Sequence, residues 1–278
     1  MISRSFGYLV LVGSLCWRCL AAQAMPSDLE LSLGPVVSRS ASQCEPFESS
    51  FAPGDVSGNT DTSFLALTPS GSYSTSDHKL QLYLERPQGK ITTKNGVNDK
   101  LGEGATVNST FTFLYGRVTY TIAAPPVVSG VVTAAILIAD EGDEVDVELL
   151  GGDPSHWQTN VYAPNPKDQG PLWGVFGEIE DYPDGGDGSQ SHEYTVDWNA
   201  ERIVWSVDGQ SIRTITKGGT EKNGALHYPS HPTRLSLGIW DASSPIGTAQ
   251  WAKGPIDWSN APERITATIT KVSLECPY

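Results

Sequence analysis

Along much of this chain apolar and polar residues alternate one for one. Leu80-Gln81-Leu82-Tyr83-Leu84-Glu85 does so. Arg234-Leu235-Ser236-Leu237-Gly238-Ile239-Trp240 and Arg264-Ile265-Thr266-Ala267-Thr268-Ile269-Thr270 follow the same rule, the second running on to Val272 and Leu274. A period of two, rich in β-branched residues and punctuated by turn formers, is the pattern of half-buried strands. Ile203 to Val207 and Ser211 to Ile215, joined through Asp208-Gly209, read as a hairpin. Val131 to Ile138 is more continuously apolar and reads as a central strand, whereas Pro164 to Gly170 and Tyr182 to Gly188 are Pro, Gly and Asp-rich and read as loops. The chain as far as about Phe51 is polar, Ser-rich in places and weakly periodic. With no strong amphipathic helix and no internal repeat, the pattern predicts an all-β sandwich of two packed antiparallel sheets, one domain over residues 25–278.

One predicted strand carries unusual cargo. In Glu144-Val145-Asp146-Val147-Glu148-Leu149, acids alternate with aliphatics. Alternate side chains of a strand share a face, so Val145, Val147 and Leu149 enter the core and the three acids line the opposite side. Like charges in a row repel, and strands normally avoid Asp and Glu, so something must compensate. Retaining glycoside chemistry supplies one reason: it needs an ionised carboxylate as nucleophile and a protonated carboxyl as acid/base, and a like-charged neighbour keeps a proton on one of them. Against it, positions i and i+4 of a flat strand lie about 13 Å apart at Cα, while the two carboxyls of a retaining enzyme come within roughly 5.5 Å; strand curvature and long Glu side chains would have to close the gap. Calcium binding through hard oxygen ligands and a merely solvated strand face account for the same residues.

Composition narrows the class. The 278-residue chain holds 28 Gly and 19 Pro, is 18% charged, and carries a formal charge of −14. Such acidity disfavours nucleic acid, whereas a neutral polysaccharide meets no repulsion. Residues 1–24 read as a signal peptide: Arg4 gives the positive region, Tyr8 to Leu15 the apolar one, and Ala22-Gln23-Ala24 the cleavage site, leaving Met25 first. No later run is apolar enough to span a membrane, so a secreted protein, extracellular or in a cell wall, is expected. Cys16 and Cys19 leave with the signal; the remaining pair, Cys44 and Cys276, suggests one disulfide tying the domain's start to its end, the alternative being two buried thiols. Asn108-Ser109-Thr110 is a glycosylation sequon, which demands an exposed Asn108. The five histidines lack ligand-like spacing, His156 reading as a loop residue. No metal, no cofactor and a monomer are expected.

The motifs then resemble a known family. Glu144-Val145-Asp146-Val147-Glu148 matches the Glu-x-Asp-x-Glu signature of glycoside hydrolase family 16. Leu150-Gly151-Gly152-Asp153, Gln158-Thr159-Asn160, Tyr115-Gly116-Arg117-Val118 and His192-Glu193-Tyr194-Thr195-Val196-Asp197-Trp198 resemble the fungal Crh-type cell-wall transglycosylases in particular. So do Val207-Asp208-Gly209, Leu237-Gly238-Ile239-Trp240 and the run from Gly247 to Trp258. The resemblance implies a concanavalin-like jelly roll, with Glu144 as nucleophile, Asp146 as its assistant and Glu148 as acid/base. It implies a chitin or β-glucan donor and a β-glucan acceptor; hydrolysis alone, and a carbohydrate-binding lectin without catalysis, are the alternatives. Val147 and Leu149 depart from the family, which usually has an aromatic there, and the stretch from Tyr162 to Gly188 departs too. Trp198, Trp205, Trp240 and Trp251 are candidate sugar platforms, Trp240 foremost, because aromatic rings pack on pyranose faces. Gln158 and Asn160 would share a strand face and bond sugar hydroxyls.

Overall fold

The computed structural model describes residues 44–278, and the signal-peptide reading lies outside the described residues. The alternating runs fold as strands and stack as two eight-stranded sheets. The first holds, in order, Gln210–Thr216, Arg202–Val207, His192–Trp198, Gly116–Ala123, Arg264–Glu275, Leu80–Glu85 and Tyr73–Ser74, with Phe47–Ser49 paired to Arg264–Glu275. The second runs Glu178–Asp181, His156–Tyr162, Glu144–Leu150, Val131–Ala139, Thr233–Asp241, Ala105–Ser109, Phe64–Ala66 and Val56–Ser57. Apart from the parallel contact of Val56–Ser57 with Phe64–Ala66, the pairings within these sheets are antiparallel. Phe47–Ser49 is a strand inside the stretch expected to be irregular: the short segment gains order by pairing with Val272–Leu274.

One face of each sheet supplies the core. Val145, Val147, Leu149, Ala135, Leu137, Leu235 and Leu237 meet Leu82, Val118, Tyr120, Tyr194, Val196, Trp198 and Trp205 across the gap. Val147 and Leu149 therefore point inward, and the departures from the family at these positions are changes in core packing rather than in a cleft wall. Val131–Ala139 is central as expected, and apart from Thr133 it is apolar because its outer face is covered as well. Among the described residues Ile246–Trp251 is the one α-helix, a short one. No described helix is long and apolar enough to cross a membrane.

Cys44 and Cys276 are disulfide-bonded, with Cα atoms 5.5 Å apart across 232 residues of sequence. The bond lies beside the Phe47–Ser49 pairing and clamps both ends of the described chain to one sheet. The sequon does not meet its requirement: Asn108 is only 4% exposed. Its strand pairs it with Leu65 and Ser236 on the outer face of the second sheet, and that face is enclosed there, so the expected glycan acceptor is inaccessible.

Candidate active site

The carboxylate strand Glu144–Leu150 lies between Val131–Ala139 and His156–Tyr162. Its alternation sends Glu144, Asp146 and Glu148 to the outer face of the second sheet while their neighbours enter the core. Beside them Ile138, Ile136 and Ala134 stand opposite Glu144, Asp146 and Glu148, and the rows continue to Arg234, Ser236 and Gly238, of which Arg234 is taken up by Asp140. On the other side the register places Tyr162 opposite Glu144, Asn160 opposite Asp146 and Gln158 opposite Glu148.

Not every acid of this segment is alike. Asp140 accepts from Arg234 Nη2 at 2.5 Å. Asp143 accepts from the backbone of Ser230 and His231 and faces His231 Nδ1 at 2.9 Å. These two tie the turn before the strand to the chain entering Thr233–Asp241. Glu144, Asp146 and Glu148 have no cationic partner among the ion pairs of the described residues. Burial lifts Glu144 to about 7. Burial, and then the charge of Glu144, lifts Glu148 to about 8. Asp146 is pushed well up by burial and by both glutamates, partly offset by Asn160 Nδ2, which donates to its Oδ2 at 3.0 Å. Interaction of this strength means that the acids titrate together and share protons among themselves. A charged glutamate beside a protonated one is the state such a cluster favours near neutrality.

The remaining partners come from both sheets and from the helix. Trp205, reaching through the core from the other sheet, donates Nε1–H to the backbone oxygen of Asp146 at 3.1 Å. Trp251 donates Nε1–H to Gln158 Oε1 at 2.8 Å and stacks on Trp240 with ring centroids 5.9 Å apart. Both rings rest on a small apolar cluster of Val132, Leu150, Ala242 and Ala252. Gly152 allows this approach, since a Cβ there would stand 2.5 Å from Lys253 Cβ. Asp146 Oδ1, Asn160 Oδ1 and Trp240 Nε1 are buried without a protein partner. Buried polar atoms are costly to leave unpaired, so hydrogen bonding on the carboxylate side is incomplete within the protein itself.

Thus Gln158, Asn160, Trp240 and Trp251 are brought to the carboxylates' face. Trp198 and Trp205 are not: both are fully buried. Trp198 spends its N–H on Pro229 O at 3.2 Å and packs edge-on to Tyr115 and Phe113. Its alternation with Tyr194 and Val196 already placed it on the core side. His156 is not in a loop; it opens the strand His156–Tyr162 and sits between Asp153 and Asp181, at 2.6 and 3.2 Å. Tyr162 was missed, although it continues the Gln158, Asn160 parity. Burial, and then the charge of Glu144, raises the pKa of the Tyr162 hydroxyl. No group of acids, histidines or cysteines suited to a metal ion occurs among the described residues.

Comparison with known proteins adds the family. Residues 61–260 match the model described as glycosyl hydrolases family 16. "Crh-like protein 2" of Aspergillus fumigatus is 37% identical over 179 residues, 58% of this chain and 37% of that protein. "Probable glycosidase CRR1" of Saccharomyces cerevisiae is 36% identical over 186 residues, 63% of this chain and 42% of that one. The chain thus spans well under half the length of these curated relatives. Among solved structures, a Crh5 transglycosylase in complex with NAG superposes with a TM-score of 0.56 at 26% identity, covering 84% of this chain and 88% of that one. A Bacillus licheniformis β-glucanase superposes with a TM-score of 0.63 at 20% identity, over 83% of this chain and 97% of that one, and shares the jelly-roll fold.

Proposed function

The chain belongs to glycosyl hydrolases family 16, and on that premise we propose that it is a secreted retaining transglycosylase of cell-wall polysaccharide. Its donor is chitin or β-glucan and its acceptor a β-glucan. Support for transfer comes from the similarity to Crh-like proteins and to a transglycosylase that binds NAG. The single observation carrying the chemistry is the uncompensated trio on one strand face, with Glu144 and Glu148 both held near neutral pH.

The steps follow from that arrangement. Glu144, ionised, attacks the anomeric carbon of the donor while Glu148 gives its proton to the departing glycosidic oxygen. The glycosidic bond breaks, an ester to Glu144 forms, and Glu148 is left as carboxylate. An acceptor hydroxyl then loses its proton to Glu148 and displaces Glu144, restoring both groups and the anomeric configuration. Asp146, bonded to Asn160 and between the two glutamates in sequence, holds the unequal protonation. Gln158, Trp240 and Trp251 bind sugar beside it.

Mass spectrometry of products from chitin and β-glucan oligosaccharides tests the reading. Products longer than the donor are expected when a β-glucan acceptor is present. Shorter products alone would reduce the activity to hydrolysis, and no change in any substrate would remove the catalytic reading.

A further inference from the structure

The chain between Tyr162 and Glu178, which departs from the family pattern, is built and anchored. Its first residues pack beside the carboxylate strand: a Cβ on Gly142 would touch Pro164 Cγ at 3.3 Å. Farther on, Asp168 is buried against His227 Nε2, at 2.9 and 3.1 Å from its two carboxyl oxygens. Lys167 Nζ reaches Gly224 O at 3.3 Å. At the far end Arg213, itself buried, donates to Phe176 O and to Thr159 O, the latter at 3.0 Å, with its guanidinium 4.7 Å over the Trp205 ring. The segment then returns over the carboxylates' own layer, where a Cβ on Gly177 would lie 3.6 Å from Asn160 Oδ1.

Between those anchors the segment exposes apolar surface. Trp173 is 39% exposed and Val175 more so, and Ile179, just past the last anchor in the strand Glu178–Asp181, continues that surface. The Trp173 ring lies 6.5 Å from that of Tyr162, tilted by 40°. Tyr162 stands opposite Glu144, and Ile179 opposite Gln158. The exposed indole is therefore continuous with the row of residues beside the acids. Holding a loop rigid lowers the entropy cost of using it in binding, and a large aromatic left in water on such a loop is costly unless something covers it.

We propose that Trp173 is a specificity-determining sugar platform: it stacks on a pyranose ring of the bound polysaccharide next to the sugar attacked by Glu144 and so lengthens the cleft on the Tyr162 side. The neutral, flat, half-apolar face of a pyranose suits an indole, and a polysaccharide is the occupant because the platform adjoins the glycosidase carboxylates. The proposal rests on the carbohydrate reading of that site.

The test is calorimetric binding of β-glucan and chitin oligosaccharides of increasing length to Glu144→Gln, with and without Trp173→Ala or Trp173→Phe. Wild-type cleavage is assayed alongside. With Trp173 present, affinity should continue to rise with chain length; Trp173→Ala should end that rise early and weaken the longest ligands about tenfold, and Trp173→Phe should keep most of it. Circular dichroism of each variant checks the fold. An identical length series with and without Trp173, in a protein whose wild type cleaves, overturns this inference alone. Trp173-dependent binding in a protein that cleaves nothing sustains it and overturns the catalytic reading. Absence of any oligosaccharide binding overturns both.

Discussion

Asp146 and Asp197 hold matching places on two strands. Each is buried, each faces away from the core, and each alternates with core residues: Val145 and Val147 around one, Val196 and Trp198 around the other. Their surroundings differ. Asp197 receives Arg117 Nε and Nη2 at 3.0 and 2.8 Å, and its other oxygen meets the Tyr278 hydroxyl. Arg117 also reaches Glu275 at 3.3 Å, so that corner closes as a small ion network. Asp146 receives one amide from Asn160, keeps an oxygen unpaired, and has two glutamates for neighbours. A buried acid with a cation holds structure together, whereas a buried acid without one stores a proton that chemistry can use.

Exchanging each aspartate for asparagine separates the two roles. Asp146→Asn should lower turnover roughly a hundredfold, because the proton arrangement loses its holder. It should leave the melting temperature level or higher, since an amide replaces a buried acid that has no cationic partner. Paired kinetics and thermal melts check this; a large melting loss with turnover intact would erase the distinction. Asp197→Asn should do the reverse. Arg117 is partly exposed, so the pair is screened, and a loss of about 1 kcal/mol, or roughly 2–4 °C of melting temperature, is expected with turnover kept.

The pH dependence of stability sharpens the contrast further. Glu144 and Glu148 hold their protons more tightly folded, at about 7 and about 8, than at the ordinary value of 4.5. Between those limits the folded chain binds more protons than the unfolded one, so the contribution of this pair is full below pH 4.5 and is lost as pH rises through 7 to 8. Melts across that range should show a decline that Glu148→Gln flattens and Asp197→Asn does not.

How much of this was legible in the sequence depends on which physical signal was asked for. Strict alternation gave the strand Glu144–Leu150 and its two faces, and the Asp208-Gly209 turn gave a hairpin now seen as Arg202–Val207 with Gln210–Thr216. Cysteine pairing followed from there being two left to pair. Alternation says which way a side chain leaves the sheet but not whether something covers it there. Asn108 points outward and is buried all the same. The tryptophans expose the opposite gap: chemistry suits an indole both to sugar and to core. The parity of Trp198 with Tyr194 and Val196 is the local signal that places it in the core. The anchors of the 162–178 segment were out of reach, because Asp168 and His227 are 59 residues apart and no local pattern links them.

The central claim is that Glu144 attacks and Glu148 supplies the proton. The most direct test is Glu148→Gln with an activated aryl glycoside donor, which needs little protonation, in the presence of azide. The account predicts that the intermediate on Glu144 accumulates and that azide releases a glycosyl azide of retained configuration, with Glu144→Gln forming no covalent intermediate at all. A glycosyl azide of inverted configuration from Glu148→Gln would contradict it, because the two glutamates would then have exchanged roles.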